Sequence, residues 1–252
     1  TRRRRAPRGG AVGRQEKGKS CSEWEKDAVP EDLSPDEAPD ARRFVPSWDE
    51  PDYKAVFDLT ATVPSNQMPL SNMPIKASED VGNGMSKVTF GTTPPMSSYL
   101  LFFGLGDFER IHREAGGTDV GIVMSKGKAD QGQYALDAAS AILPFYNDYF
   151  GTPYPLPKLD NIAGPGQSQF FGAMENWGAI FTFERILLND PTITSEGNRQ
   201  SIFSVAAHEM AHQWFGDLVT MAWWDDLWLN ESFAEWAAHH ANVHATRFSE
   251  AW

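Results

Sequence analysis

The stretch His208-Glu209-Met210-Ala211-His212 decides the interpretation of this 252-residue sequence, because it spaces two histidines four residues apart. It lies within a helix predicted over Ser201–Phe215, which ends at Gly216. Residues four apart share one helical face, with Cβ atoms about 5–6 Å from each other, so both imidazoles can bind one zinc ion. Glu209 lies one step round the helix, where its carboxylate can reach a water on the metal and act as a general base.

The alternative for this motif is a solvated helix face, because short patterns of His and Glu also arise by chance. The flanking residues argue against that alternative. They are small or apolar, namely Ala206, Ala207, Met210, Ala211, Trp214 and Phe215. Such neighbours predict burial on nearly every side, and buried imidazole and carboxylate groups need partners. The pattern therefore favours a metal site.

A third candidate ligand, Glu231, follows His212 by nineteen positions. A catalytic zinc ion takes three protein ligands and keeps a fourth position for water. Glu231 lies in a second helix, predicted over Leu229–Ala245, which the loop 216–228 can fold back against the first. Taken alone, Glu231 is better explained as an acid stabilised by a helix N-terminus, but its spacing from the histidines favours a ligand. Glu235, one turn further, is either a partner of a ligand imidazole or an ordinary exposed charge.

A second candidate site is the run Gly172-Ala173-Met174-Glu175-Asn176, within a strand-like segment predicted over Phe170–Phe183. A carboxylate such as that of Glu175 is costly among aromatic residues unless it has a cationic partner, and a substrate ammonium is one candidate. An exposed strand edge can hold an extended peptide through main-chain hydrogen bonds, and Gly172 lets two backbones approach closely. A bulged edge strand that carries one surface acid is the open alternative.

The rest of the chain is β-rich first and mixed afterwards, which predicts an α+β fold. Between residues 41 and 125, short β-branched or aromatic runs alternate with turn residues. They predict strands over Lys54–Val63, Lys87–Gly91, Ser98–Leu105 and Asp119–Ser125, and a hairpin from Val81 to Val88 around Asn83-Gly84. A helix is predicted over Gln131–Phe150, with a kink at Pro144.

Composition excludes several classes of protein. The net charge is −12, and it resides in residues 41–252 because the basic and acidic halves of residues 1–40 cancel, so nucleic acid is not expected as a partner. Cys21 is the single cysteine, which rules out an internal disulfide framework. No apolar run approaches the roughly 18–20 residues of a membrane span, and no signal peptide or compartment is assigned. Residues 1–40 are charged and poor in apolar side chains, and are predicted to be poorly ordered.

Taken together, the motifs resemble the zinc aminopeptidase family typified by aminopeptidase N, among the gluzincin metallopeptidases. The resemblance covers about residues 41–252. It rests on the three motifs above, the third being Trp228-Leu229-Asn230-Glu231, and on further segments: Ala41–Pro46, Trp48–Pro51, Tyr149–Gly151, Tyr154–Asp160 and the Trp-rich run before Trp228.

The resemblance implies one zinc ion per chain, with His208, His212 and Glu231 as ligands. It implies that Glu209 activates the water and then passes a proton to the leaving amine. It also implies that Glu175 pairs with the α-amine of a peptide with a free N-terminus, while Gly172 to Asn176 (Gly172, Ala173, Met174, Glu175, Asn176) line the subsite for the first residue. The expected activity is therefore proteolysis by a metallo-aminopeptidase, a hydrolase that removes one residue at a time.

The resemblance further implies the end of an N-terminal β domain over residues 41–112 and a thermolysin-like catalytic domain over 113–252, both incomplete. The family Tyr that donates to the oxyanion is not matched, because all six tyrosines precede the zinc motif, and the C-terminal helical domain is not matched either. The alternative to an active enzyme is therefore a zinc- and peptide-binding fragment with little turnover. Among enzymes, the runner-up is a zinc endopeptidase or a lipid-epoxide hydrolase of related fold, and Glu175 argues against the endopeptidase.

Overall fold

The structure, a computed structural model, describes residues 44–48, 50–168 and 171–246. The segment 1–40, expected to be poorly ordered, lies outside the described residues, as do residues 41–43 and Phe170 of the quoted segments. Within the described part, a β-rich section precedes a section of mixed helices and strands. The predicted α+β class is confirmed.

The first section contains two small antiparallel sheets. Their strands are β1 Thr60–Pro64, β2 Met68–Ser71, β3 Ile75–Gly82, β4 Met85–Phe90 and β5 Phe103–Gly106. One sheet has the strand order β1-β4-β3, and the other pairs β2 with β5. The predicted hairpin is confirmed as β3–β4, since Asn83 and Gly84 form its two-residue turn with φ angles of 56° and 72°. Positive φ at both positions is what a type I′ turn requires.

Two predicted strands of this section are shorter than expected. In Lys54–Val63, regular pairing begins only at Thr60, because the N–H of Phe57 is bound by the hydroxyl of Thr93 and not by a neighbouring strand. In Ser98–Leu105, the first residues form a 3-10 turn over Ser98–Leu100, and β5 follows it. The Ser98 hydroxyl donates to the carbonyl of Trp48 at 2.6 Å, a long-range bond that connects this turn to the beginning of the described chain.

The second section is built on a five-stranded sheet with the order β6-β7-β8-β10-β9. The bounds are β6 Phe108–Ala115, β7 Thr118–Ser125, β8 Lys158–Gly164, β9 Ala173–Met174 and β10 Ala179–Phe183. The three central strands are parallel, and the two edge strands, β6 and β9, run antiparallel to their neighbours. The strand predicted over Asp119–Ser125 is confirmed as β7. The segment predicted over Phe170–Phe183 forms two strands, β9 and β10, separated by a turn.

Four helices complete the described chain: α1 Ala129–Phe150, α2 Glu184–Leu187, α3 Glu196–His212 and α4 Leu227–Ala245. α1 contains Pro144 and ends at Gly151, which adopts a φ of 64°. It packs on β6 and β7, while α3 packs against α1, α4 and β9. α3 therefore lies between the sheet and α4, in contact with the edge strand that carries the second candidate site.

The predicted domain division at residue 112 falls within β6. This strand pairs with β7 along its whole length, from Phe108 to Ala115. The pairing favours a boundary just before Phe108, and the division into two domains itself remains a proposal. Within the ranges that the structure describes, no helix has both the length and the apolar character needed to cross a bilayer.

Candidate metal centre

Helix α3 presents His208 and His212 on one face, as their four-residue spacing predicts. Their Nε2 atoms lie 3.1 Å apart. From α4, one carboxylate oxygen of Glu231 lies 3.3 Å from Nε2 of His208, and the other lies 3.6 Å from Nε2 of His212. The three potential ligand atoms all lie within 4.8 Å of one another. The fold therefore brings together the three residues that the sequence selected as metal ligands.

The second nitrogen of each imidazole is hydrogen-bonded away from this point. Nδ1 of His212 lies 3.0 Å from the carbonyl oxygen of Phe215, which can only accept, so Nδ1 carries the proton. Nδ1 of His208 lies 3.2 Å from a carboxylate oxygen of Glu235, which favours the same tautomer. Both Nε2 lone pairs then point to one place beside Glu231. A donor set of two imidazole nitrogens and one carboxylate oxygen suits a zinc ion, and hydrogen-bonded outer nitrogens are typical of zinc-ligating histidines.

The position of Glu231 in α4 bears on its two interpretations. α4 begins at Leu227, two residues before the predicted start, and no acidic residue lies in its first turn. Glu231 is in the second turn, where the helix macrodipole has little effect. Its carboxylate faces the two imidazoles instead. An acid that merely stabilises a helix N-terminus does not account for this position.

The pKa values of the three groups reflect their mutual attraction. Burial alone would lower the pKa of His212, but Glu175, Glu231 and Glu209 outweigh burial and raise it to about 10. Burial would raise the pKa of Glu231, yet its hydrogen bonds with the two imidazoles hold it well below the ordinary value of a carboxyl group. The arrangement therefore stabilises positive charge at the imidazoles and negative charge on Glu231.

Glu209 is on the buried side of α3, with 8% of its surface exposed. Burial raises its pKa to about 7, against the opposing effect of the positive imidazoles. A carboxyl group that titrates near neutrality can both accept and return a proton at physiological pH. This property fits the general base that the motif predicts.

The second candidate site lies along the same side of α3. Ala173 and Met174 form β9, Glu175 and Asn176 begin the turn that follows, and Gly172 accepts a hydrogen bond from the amide of Phe183 at 3.2 Å. β9 is an edge strand of the sheet, as one interpretation required. Glu175 is only 6% exposed, however, so the alternative of a surface acid is wrong.

Negative charge accumulates around the imidazoles. The charge of Glu175 contributes to the raised pKa of His212, so this carboxylate lies within electrostatic reach of the metal-ligand candidates. Asp217 is completely buried beyond the end of α3. Burial raises its pKa well above the ordinary value, and the charge of Glu175 raises it further. A site with this balance favours cationic occupants.

Sequence analysis missed Gln213, which follows His212 and is fully buried. Its side-chain amide bonds the main chain of the segment after β9. The one indication in the sequence was that Gln213 is a polar amide within an otherwise small and apolar run. The carbonyl of Phe215 was also missed, because a main-chain partner leaves no mark in the sequence.

Two family profiles and several known proteins match this chain in sequence. The family profile described as "Peptidase M1 N-terminal domain" matches residues 33–100, and the one described as "Peptidase family M1 domain" matches residues 134–251. "Aminopeptidase N" of Acetobacter pasteurianus is 50% identical over 200 residues, which cover 79% of this chain and 56% of that protein.

Two further relatives come from distant organisms. "Aminopeptidase M1-B" of Oryza sativa subsp. japonica is 48% identical over 206 residues, which cover 81% of this chain and 23% of that protein. "Probable aminopeptidase 2" of Sulfurisphaera tokodaii is 48% identical over 201 residues, or 80% of this chain and 25% of that protein. The chain thus spans about half the length of the first relative and about a quarter of the other two. With both parts of one family architecture matched in order, the chain belongs to peptidase family M1.

Proposed function

We propose that this chain carries the catalytic centre of a zinc-dependent aminopeptidase, which hydrolyses the first peptide bond of substrates with a free N-terminus. The observation that carries the proposal is the convergence of His208, His212 and Glu231, with ligand atoms within 4.8 Å, beside the buried acids Glu209 and Glu175. The names of the relatives, which are aminopeptidases, support the same activity.

The three converging residues would hold one zinc ion. When bound, zinc supplies a Lewis acid that polarises the scissile carbonyl and lowers the pKa of water to about 7. The hydrogen bonds of His208 to Glu235 and of His212 to Phe215 hold the Nδ1 protons away from the centre and orient each Nε2 atom towards it.

Glu209 acts as the proton carrier. It accepts a proton from the attacking water while the water oxygen forms a bond to the carbonyl carbon. It then donates that proton to the amine nitrogen as the carbon–nitrogen bond breaks. Its pKa of about 7 suits both steps, because the group is neither too acidic to accept nor too basic to donate.

Glu175 decides which bond is cut. Its buried carboxylate binds the substrate's α-ammonium, and among the described residues the hydrogen bonds to Glu175 reach only its main-chain carbonyl. The edge of β9 binds the extended peptide backbone. Because the amine is held at a fixed place, only the first peptide bond lies over the metal centre, and one residue is removed per cycle.

The test is hydrolysis of an aminoacyl reporter by the full-length protein that contains this chain, with and without a zinc chelator. We expect activity that the chelator abolishes and added zinc restores. The matched substrate is the same reporter with its α-amine acetylated, which an aminopeptidase does not cleave and an endopeptidase tolerates. Chelator-resistant cleavage, or equal cleavage of the acetylated reporter, would overturn the proposal.

A further inference from the structure

We propose that Gln213 is a positioning residue that fixes the distance between the amine-binding carboxylate of Glu175 and the metal centre. The inference rests on the proposed function, because it assigns a cause to the register at which the substrate is held. It concerns a side chain that touches neither metal ligand nor substrate, and acts through the main chain of its neighbours.

The side-chain amide of Gln213 is buried and lies within hydrogen-bonding distance of four polar groups. Nε2 of Gln213 donates to the carbonyl of Glu175 at 2.9 Å and lies 3.4 Å from the carbonyl of Glu209. Its Oε1 accepts from the amide of Gly178 at 3.0 Å and lies 3.4 Å from the hydroxyl of Tyr154, whose single proton is closer to the carbonyl of Lys158, at 3.2 Å. The side chain is 0% exposed, so none of these bonds competes with solvent.

These partners determine the orientation of the amide. The main-chain carbonyl of Glu175 can only accept, and the N–H of Gly178 can only donate, so nitrogen and oxygen cannot be exchanged. The two short bonds, to the carbonyl of Glu175 and from the amide of Gly178, use both ends of the Gln213 amide. A buried amide bonded at both ends resists movement of its partners, because a shift of either partner leaves a buried polar group unpaired.

The segment that Gln213 holds is attached to β8 at its far end, where the carbonyl of Gly178 accepts from the main-chain amide of Asp160 at 3.1 Å and from Nζ of Lys158 at 2.7 Å. Pairing of β9 with β10 ends at Met174, and a turn over residues 176–179 follows, closed by the hydrogen bond from the amide of Ala179 to the carbonyl of Asn176 at 2.8 Å. Gln213 binds Gly178 within this turn and Glu175 just before it, and among the described residues it makes the only hydrogen bond to the carbonyl of Glu175. Through the carbonyl of Glu209 it ties the turn to the same helix that carries the metal ligands.

The consequence is a fixed spacing between two parts of the site. Without the amide, the turn stays attached to β8 through Gly178, but no other described hydrogen bond links the main chain of Glu175 to α3. A displacement of about 1 Å is enough to lower a rate by about 100-fold when geometry controls the reaction. We therefore expect loss of Gln213 to weaken recognition of the substrate amine selectively.

The experiment compares binding of two probes to the zinc-loaded full-length protein by titration calorimetry. L-leucine hydroxamate has a free α-amine, and N-acetyl-L-leucine hydroxamate does not, while the metal-binding group is the same. Their affinity ratio reports amine recognition without turnover. The ratio is measured in the wild type, in Gln213→Met, which preserves volume, and in Gln213→Asn, which keeps a polar amide but is one methylene too short.

Tyr146→Phe is the matched control. The Tyr146 hydroxyl donates to the carbonyl of Ala207 at 2.9 Å, so the variant removes a buried bond to the same helix without touching the turn. We expect the affinity ratio to fall about tenfold or more in the Gln213 variants and to stay unchanged in Tyr146→Phe, with zinc content equal in all.

Other outcomes overturn the inference. An unchanged ratio in folded Gln213 variants would do so, and so would an equal fall in Tyr146→Phe, which would indicate general loosening of α3. If neither Gln213 variant folds, the residue belongs to the stability of the fold and the inference is also wrong. If the wild type bound both probes equally, the proposed function itself would be overturned. That result differs from one in which only the role of Gln213 is wrong.

Discussion

Nε2 of His208 and Nε2 of His212 face each other at a distance of 3.1 Å. Since the Nδ1 atom of each ring is hydrogen-bonded elsewhere, two lone pairs meet at one point beside the carboxylate of Glu231. Such an arrangement is stable only with a cation between the nitrogens. In this centre the cation is a proton or a metal ion, and the two compete.

That competition predicts how zinc affinity depends on pH. The folded-state pKa of His212 is about 10, so zinc must displace a proton from this site at any pH below that value. We expect the apparent zinc affinity to rise about tenfold per pH unit for each proton released between pH 6.5 and 8.5. Competition with a chromophoric chelator measures it. An affinity independent of pH would contradict this account.

In the metal-free protein, the same raised pKa of His212 makes the stability of the fold decrease as the pH rises. Because the folded-state pKa lies above the value of about 6.5 for an unfolded chain, the contribution of His212 to stability is fully present below about pH 6.5. It is lost as the pH rises through about 10. Thermal unfolding after chelation should therefore show falling stability over this range, and added zinc should stabilise the protein most at the alkaline end.

The two acids of α4 should differ in their effect on metal binding. Glu231→Gln removes a ligand, and we expect zinc to be lost on dialysis against buffer without metal. Glu235→Ala removes the acceptor for Nδ1 of His208 but no ligand, and we expect about a tenfold weaker affinity, the lower end for partners of metal-ligating histidines, because Glu235 is exposed. Zinc content and chelator competition measure both. Equal losses would contradict the assigned roles.

Glu209→Gln should separate binding from catalysis. The variant keeps the size of the side chain but cannot carry a proton, so we expect kcat to fall by about 100- to 10,000-fold. Zinc content should not change, because the side chain is not among the converging ligand atoms. The measurement is hydrolysis of the aminoacyl reporter, with zinc determined on the same sample. Full activity with bound zinc would exclude Glu209 as the base.

The sequence could predict this centre only where local spacing controls geometry. The four-residue separation of His208 and His212 sets their positions on any helix, so they were predictable without a fold. Glu231 depended on the loop returning α4 to α3, which its spacing from the histidines suggested but could not establish. Gln213 was not predictable, because its partners are main-chain atoms of residues 175 and 178, which only the tertiary structure brings near.

One element that was missed, β8, has a different physical cause. β8 is buried along its whole length yet contains Lys158, Asp160 and Asn161, so it lacks the apolar run expected of a central parallel strand. The charged residues are compensated by neighbours, with Asp160 bound by Arg110 at 2.7 Å and by Lys158 at 2.9 Å. α3 begins earlier than predicted, with the side chain of Ser195 as its N-cap. The prediction started too late because the first turn is polar and does not show the apolar pattern of a helix.

This buried charge network gives a prediction about the fold. Gly121 lies in β7 opposite Asp160 of β8, and a Cβ atom there would overlap both the Asp160 carboxylate and the Arg110 guanidinium. We expect Gly121→Ala to lower the free energy of unfolding by about 1–3 kcal/mol, the usual cost of overpacking. Denaturant unfolding measures the change.

Gly197→Ala is the matched control, because it makes the same chemical change where space is open. Gly197 lies in the first turn of α3, and a Cβ there would come no closer than 4.0 Å to the nearest atom, the Ser195 hydroxyl. We expect this variant to gain about 0.5–1 kcal/mol, because alanine loses less backbone entropy than glycine in a helix. If the two variants instead changed the free energy of unfolding equally, the tight contact between β7 and the Arg110–Asp160 pair would not contribute to the cost of the Gly121 substitution.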